Sequence, residues 1–226
     1  MKLTAFFIAS LSACAWAIVI PASSKAGSIP AQPGTGVGST VWFGGVNTSA
    51  DALAFTQANA AAGTFFSTSI DYPRGSSGST SDGTLAEFLA DDGASANFDL
   101  TRSVFSNIFI FDGFLAFREA GEHSFGVGSD DGFILTIGGV LIGSGNDRPV
   151  GFSWFSLEVA EPGLYPFNLL YYANSNGLSG VEIAQDLAAG GRPVATADLY
   201  SQVPGPGVVV GAAALAGLTA LRRRRR

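Results

Sequence analysis

The sequence predicts an all-β protein: a two-sheet antiparallel β-sandwich or jelly roll with one or two short helices, an N-terminal signal helix and a C-terminal membrane helix. Three observations predict the sandwich. Between residues 36 and 185, short aromatic or β-branched runs are separated by Gly, Ser, Asn, Asp and Pro, the punctuation of strands and turns. Alternation is clearest in His123-Phe125-Val127, Phe133-Leu135-Ile137 and Tyr165-Phe167-Leu169-Tyr171, each of which would line one face of a sheet. A chain of 226 residues that is 47% hydrophobic can bury one good core, and its 30 glycines with only 13% charged residues are unusual for an intracellular enzyme.

The elements follow in order. Residues 1–26 carry one early cation, Lys2, then the apolar LTAFFIASLSACAWAIVI and the small-residue stretch PASSKAG, which reads as a secretory signal peptide with a mature start near Gly27. Cys14, the only cysteine, lies inside that leader, so the mature chain has no disulfide, thiolate metal site or cysteine nucleophile. LSAC, residues 11–14, resembles a bacterial lipobox, but the apolar run continues past it where a lipoprotein turns polar. The body, residues 27–186, offers the strand candidates TVWFGGV, TFFSTSIDY, SNIFIFDGFLAF, HSFGVG, GFILTIGGVLI, FSWFSLEVA, YPFNLLYY and GVEIAQ. SADALAFTQANAAAG reads as a helix from a cap at Ser49 to a stop at Gly63, and GTLAEFLADDG as one from a cap near Thr84 to Gly93. Residues 73–83, PRGSSGSTSDG, read as an exposed loop, and residues 187–203 as a linker.

Charge excludes one class of partner. Seven of the twelve basic residues lie in the end segments, so residues 27–203 hold five arginines against eighteen acids, a net of −13. Nucleic acid and anionic membranes would repel such a domain, whereas cations would be drawn to it.

Residues 204–226 join a proline-rich break to an apolar stretch, 207–221, and five terminal arginines. Val208 to Leu221 would span roughly 21 Å as a helix, short of the roughly 30 Å hydrocarbon core unless the insertion is thin or tilted. The arginines would stay cytoplasmic and leave the body outside. This three-part pattern resembles the PEP-CTERM sorting signal, with Pro204-Gly205-Pro206 where that family has Pro-Glu-Pro. The resemblance implies an exosortase-type processing enzyme, a transient inner-membrane anchor, and export to the cell surface alongside exopolysaccharide.

The residues EHSFGVGSDDGFILTIGGVLI and, downstream, EPGLYPFNLLYYANSNGLSGVEIAQ resemble the PA-fourteen domain of protective antigen, yeast flocculins and bacterial surface proteins. His123 takes the place of that family's tyrosine, and Ile137-Gly138-Gly139 stands where Ile-Asp-Gly is usual. The resemblance spans about residues 36 to 186. In lectin members, it implies, adjacent aspartates joined by a cis peptide hold a calcium ion that binds sugar hydroxyls; here these are Asp130 and Asp131. It also implies an asparagine ligand from the loop after the long strand, for which Asn174 and Asn176 both qualify, Asn174 being preferred. Calcium takes six to eight oxygens, so two carboxylates aimed one way suit it. A competing reading makes Asp130-Asp131-Gly132 a tight turn, with an acid accepting backbone N–H bonds and the glycine supplying positive φ.

Asp91-Asp92-Gly93 has the same letters and reads as a solvated helix end with Gly93 after the last turn. His123, the single histidine, sits in an alternating strand and reads as a sheet-face residue rather than a catalytic base. Trp154 is a candidate for stacking on a sugar ring, ahead of Tyr171 and Tyr172. Hydrolysis of a glycan wants two carboxylates facing each other at roughly 5 to 9.5 Å, and no such pair is evident. The expectation is therefore a non-catalytic, exported, calcium-assisted carbohydrate-binding module; the alternative is a structural or protein-interaction domain of the envelope.

Overall fold

The computed structural model describes residues 17–174 and 177–202. The start of the expected leader, Asn176, and the tail with Pro204, Gly205, Pro206 and stretch 207–221 lie outside the described residues.

β-Branched and aromatic runs fold into two facing sheets, with strands numbered in chain order. One sheet runs β1 (Ile18–Ile20), β9 (Gly151–Val159), β6 (Gly121–Asp130), β11 (Gly180–Gln185), β12 (Arg192–Pro193), and β4 (Asp71–Tyr72) also pairs with β11. The other runs β3 (Gly63–Ser67), β2 (Val37–Phe43), β5 (Asn107–Phe117), β10 (Gly163–Ala173), β7 (Gly132–Ile137), β8 (Val140–Gly145), with β13 (Leu199–Tyr200) on β5. The pairings are antiparallel except that of β1 with β9, so the expected antiparallel sandwich carries one parallel edge.

Alternation places one side of each strand inward. Phe125 and Val127 of β6, Phe133, Leu135 and Ile137 of β7, and Tyr165, Phe167, Leu169 and Tyr171 of β10 are all buried in one cluster. Aromatic rings fill its middle. Phe65 meets Phe109 edge-on at 6.3 Å, and Tyr171 stacks on Phe109 at 5.9 Å. Offset and edge-on rings at these separations add about 0.5–1.5 kcal/mol per pair beyond area burial.

Local chemistry sets the element ends, and here several expectations shift. The run GFILTIGGVLI is a hairpin rather than one strand: Gly138 (φ 60°) and Gly139 (φ 73°) both adopt the left-handed region that a tight two-residue turn demands. Helix α1 (Ser49–Ala58) is capped by Thr48, whose hydroxyl accepts from Asp51 N at 3.1 Å; Ser49 instead donates its N–H and hydroxyl to Asn146 Oδ1. That helix stops at Asn59, four residues before Gly63, where the Asn59 amide folds back on Phe55 O. Helix α2 (Leu85–Leu89) has the expected Thr84 cap, completed as a capping box by Glu87. It ends where Ala90 turns to φ 47°, so Gly93 is not the residue that stops it.

The sandwich takes in residues outside 27–186 at both ends. Residues 18–26, assigned above to the leader, are a strand and a turn here, and Ile20 is fully buried among the core residues. Residues 192–200, assigned to a linker, contribute β12 and β13. Among the described residues no helix is long and apolar enough to cross a membrane.

Candidate functional site

Three connections cross from one sheet to the other at the same end of the sandwich. The chain passes from β6 to β7 through Asp130-Asp131-Gly132, from β8 to β9 through residues 146–150, and from β10 to β11 past Asn174. Asp130, Asp131, Asp147, Arg148, Pro149, Asn174, Gly177 and Leu178 line one open depression of about 550 Å³ there.

Asp130 and Asp131 are joined by a cis peptide, as the sequence resemblance implies, and both are buried, with 9% and 3% of their surface exposed. Each carboxylate accepts one backbone N–H: Asp130 Oδ2 from Val150 at 3.1 Å, Asp131 Oδ2 from Asn174 at 2.6 Å. The backbone of the pair is held from below. Tyr171 donates its hydroxyl to Asp130 O at 2.5 Å while accepting from Gly180 N at 3.0 Å, and Ser129 donates to Asp131 O at 2.8 Å. Gly132 follows for lack of space rather than for positive φ, because a Cβ there would strike the Tyr172 ring and Gly145 O.

The β8–β9 loop closes the site. Arg148 directs its guanidinium inward, to Ser153 Oγ at 2.9 Å, Gly151 O at 2.7 Å and Ser129 Oγ at 3.1 Å, and lies over the Phe133 ring. Its neighbour Asp147 accepts from Asn174 Nδ2 at 3.2 Å. Asp147 is the residue that sequence reading missed. Its signal was an acid in the Gly-Asn-Asp-Arg-Pro loop between two strand candidates.

Burial and mutual repulsion govern the charges. Burial pushes the Asp131 carboxyl up from 3.8 to about 7; the Asn174 N–H opposes this, while the Asp147 carboxyl within hydrogen-bonding reach and the Asp130 charge add to it. Asp130 is raised too, chiefly by burial, with Val150 N–H and Arg148 acting the other way. Burial and neighbouring charge disfavour the ionised forms of Asp130 and Asp131, and a nearby cation would favour them.

The donors suit a hard cation, all being carboxylate or amide oxygens. Among the described residues no three His, Cys, Asp or Glu side chains form a group able to hold a metal ion, so a cation here would also draw on amide, backbone or solvent oxygens. Asp130, Asp131 and Asn174 are the sequence-predicted ligands that the fold brings together.

No family model matches the chain, and no curated protein matches it in sequence. Solved structures do match in shape. The PA14 domain of the MpAFP antifreeze protein superposes with a TM-score of 0.65 at 22% identity, covering 80% of this chain and 98% of that one. A PA14 sugar-binding domain from an RTX adhesin gives 0.61 at 20% identity, covering 74% and 98%. This is a PA14 fold. The Epithelial Adhesin 9 A domain from Candida glabrata, solved in complex with Galb1-3GlcNAc, gives 0.54 at 10% identity, covering 79% and 96%.

Within the PA14 fold, the remaining sequence candidates lie elsewhere or inside. Trp154, on β9, stacks on Phe152 at 5.6 Å and covers Gly126 and Gly191; it does not line the depression. Tyr171 and Tyr172 are fully buried, which removes them as stacking platforms, and Tyr172 donates to Asn47 O. His123 packs edge-on against Phe117, with Nε2 3.0 Å from Glu119 O.

Proposed function

We propose that this PA14-fold domain is an exported, cell-surface carbohydrate-binding module in which calcium at Asp130, Asp131 and Asn174, with Asp147 beside them, engages hydroxyls of an extracellular polysaccharide. The observation that carries this reading is the pair of buried carboxylates lining one solvent-open depression where three sheet crossings meet. A bound cation would offset the burial, and with it the repulsion, that raise Asp131, and its remaining coordination positions would accept a vicinal diol. The RTX adhesin's sugar-binding domain and the Epithelial Adhesin 9 A domain, solved with Galb1-3GlcNAc, support it as neighbours in fold. Binding rather than catalysis fits adjacent acids, which share one wall instead of flanking a scissile bond. The tail pattern supports handling by an exosortase-type enzyme with residues 207–221 as a transient anchor.

A second reading, a structural or protein-interaction domain of the envelope, is favoured by the backbone N–H bonds that each acid already accepts. Calorimetry decides between them. The purified protein is titrated with calcium and then, with and without calcium, with a panel of sugars bearing vicinal hydroxyls. Calcium binding followed by calcium-dependent sugar binding is the expected result; absence of calcium binding at millimolar levels would leave the lectin reading without a mechanism.

A further inference from the structure

We infer that the leader is removed by hydrolysis of the Ala17–Ile18 bond, ahead of β1, and not before Gly27. Residues 18–27 are built into the sandwich. β1 pairs with β9 in the register Ile18 to Leu157, Val19 to Glu158 and Ile20 to Val159, and Ala160 N donates to Ile20 O at 3.1 Å. Ile20 is fully buried in the main core. Lys25 forms an ion pair with Glu161, Ala26 N donates to Leu164 O at 2.8 Å, and Leu164 N donates to Gly27 O at 2.9 Å.

The body is shaped to receive this segment. A Cβ on Gly138 would collide with Ser24 Oγ and crowd Ile20 Cγ2 at 3.2 Å; one on Gly163 would collide with the Lys25 side chain and meet Gly27 O at 2.9 Å. Glycines at both points leave room for a segment that a cut before Gly27 would discard.

The sequence upstream supplies the matching site. Ala15-Trp16-Ala17 is a small-x-small motif ending at the first residue before the strand. The apolar run from Leu3 to Ala15 fits the roughly 7 to 15 residues of a leader's apolar core, whereas a run continuing to Ile20 exceeds it. A leader peptidase adds water across the Ala17–Ile18 amide, leaving a carboxylate on Ala17 and an ammonium on Ile18. Cys14 departs with the leader, and the mature chain begins directly with β1.

N-terminal sequencing of the full chain after export from a bacterial host tests this, and is independent of the calcium reading. The expected first residues are Ile18-Val19-Ile20-Pro21. A first residue of Gly27 or Trp16, a lipid-blocked Cys14, or a retained Met1 overturns the inference. Two variants sharpen it: Ala17→Leu is expected to lose the mature chain and accumulate precursor, while Ala26→Leu, exposed and preceding the later site, is expected to leave processing unaltered. The reverse pattern overturns it.

Discussion

Asp91-Asp92-Gly93 and Asp130-Asp131-Gly132 are the same three letters put to opposite uses. In the first, the acids part company. The Asp91 side chain is 94% exposed, reaching Arg74 only at 3.6 Å, while that of Asp92 is 3% exposed. Asp92 accepts from Thr68 N at 3.1 Å, Thr68 Oγ1 at 2.7 Å, Tyr72 hydroxyl at 2.5 Å and Arg74 Nη2 at 3.1 Å. A buried carboxylate with four donors, one of them a guanidinium, is satisfied and tied to folding. In the second tripeptide both acids are buried side by side, each with one backbone donor, and the nearby guanidinium of Arg148 spends its hydrogen bonds on Ser129, Ser153 and backbone carbonyls. Asp92 is tied into the fold, whereas Asp130 and Asp131, in the function proposed above, offer their oxygens to a bound cation.

The largest effect should come from breaking the satisfied pair. Asp92→Ala removes a shared acceptor from Thr68, Tyr72 and Arg74, and is expected to cost about 3 kcal/mol, roughly 9 °C in thermal melts, with calcium binding retained by the folded fraction. Asp131→Asn should do the converse. Calcium affinity by calorimetry is expected to fall more than about 100-fold, beyond the roughly 10 to 100-fold cost of disturbing groups that merely orient a ligand. Melting without calcium should shift little, because the amide oxygen can still accept from Asn174 N. A collapse of stability instead would place Asp131 in the same class as Asp92.

A smaller effect comes from pH. In the proposed calcium site the ligand is the Asp131 carboxylate, whose pKa is raised to about 7, so affinity is expected to drop about tenfold from pH 8 to pH 6. Stability without calcium should run the other way. With the folded value above the ordinary 3.8, the contribution of protonated Asp131 is fully present below that lower value and is lost as pH rises through about 7. Melts at several pH values with a calcium chelator measure this directly. Smallest of all, Asp91→Ala is expected to change stability by no more than about 0.5 kcal/mol, as for other exposed ion pairs.

How much of this was legible depended on the range of the forces involved. Period-two alternation reports which face is buried, so β6, β7 and β10 were readable from it, while β5 and β9 were readable as aromatic and branched runs between turn residues. The Asp130-Asp131 pair with Asn174 was located through resemblance, since nothing local says that loops after β6 and β10 meet. Asp147 stayed hidden because its role comes from which loop Arg148 pins beside the pair. Asp92 was misread as a solvated end, because its partners Thr68, Tyr72 and Arg74 lie 18 to 24 residues earlier in the chain. Glycine in place of aspartate at position 138 looked like a departure; it suits both the left-handed turn, with φ 60°, and the closeness of Ser24 and Ile20.

The parallel pairing of β1 with β9 bears on how copies of the molecule behave toward one another. An uncovered strand edge offers its N–H and C=O groups to any passing chain, and β9 is nine residues long and rich in aromatic and aliphatic side chains. β1 occupies the end of that edge with three residues and then stops at Pro21, which has no N–H to donate. A strand that short is a poor template. Chains trimmed past it would present Leu157–Val159 bare, and edge-to-edge assembly that grows with concentration is the behaviour such trimming invites.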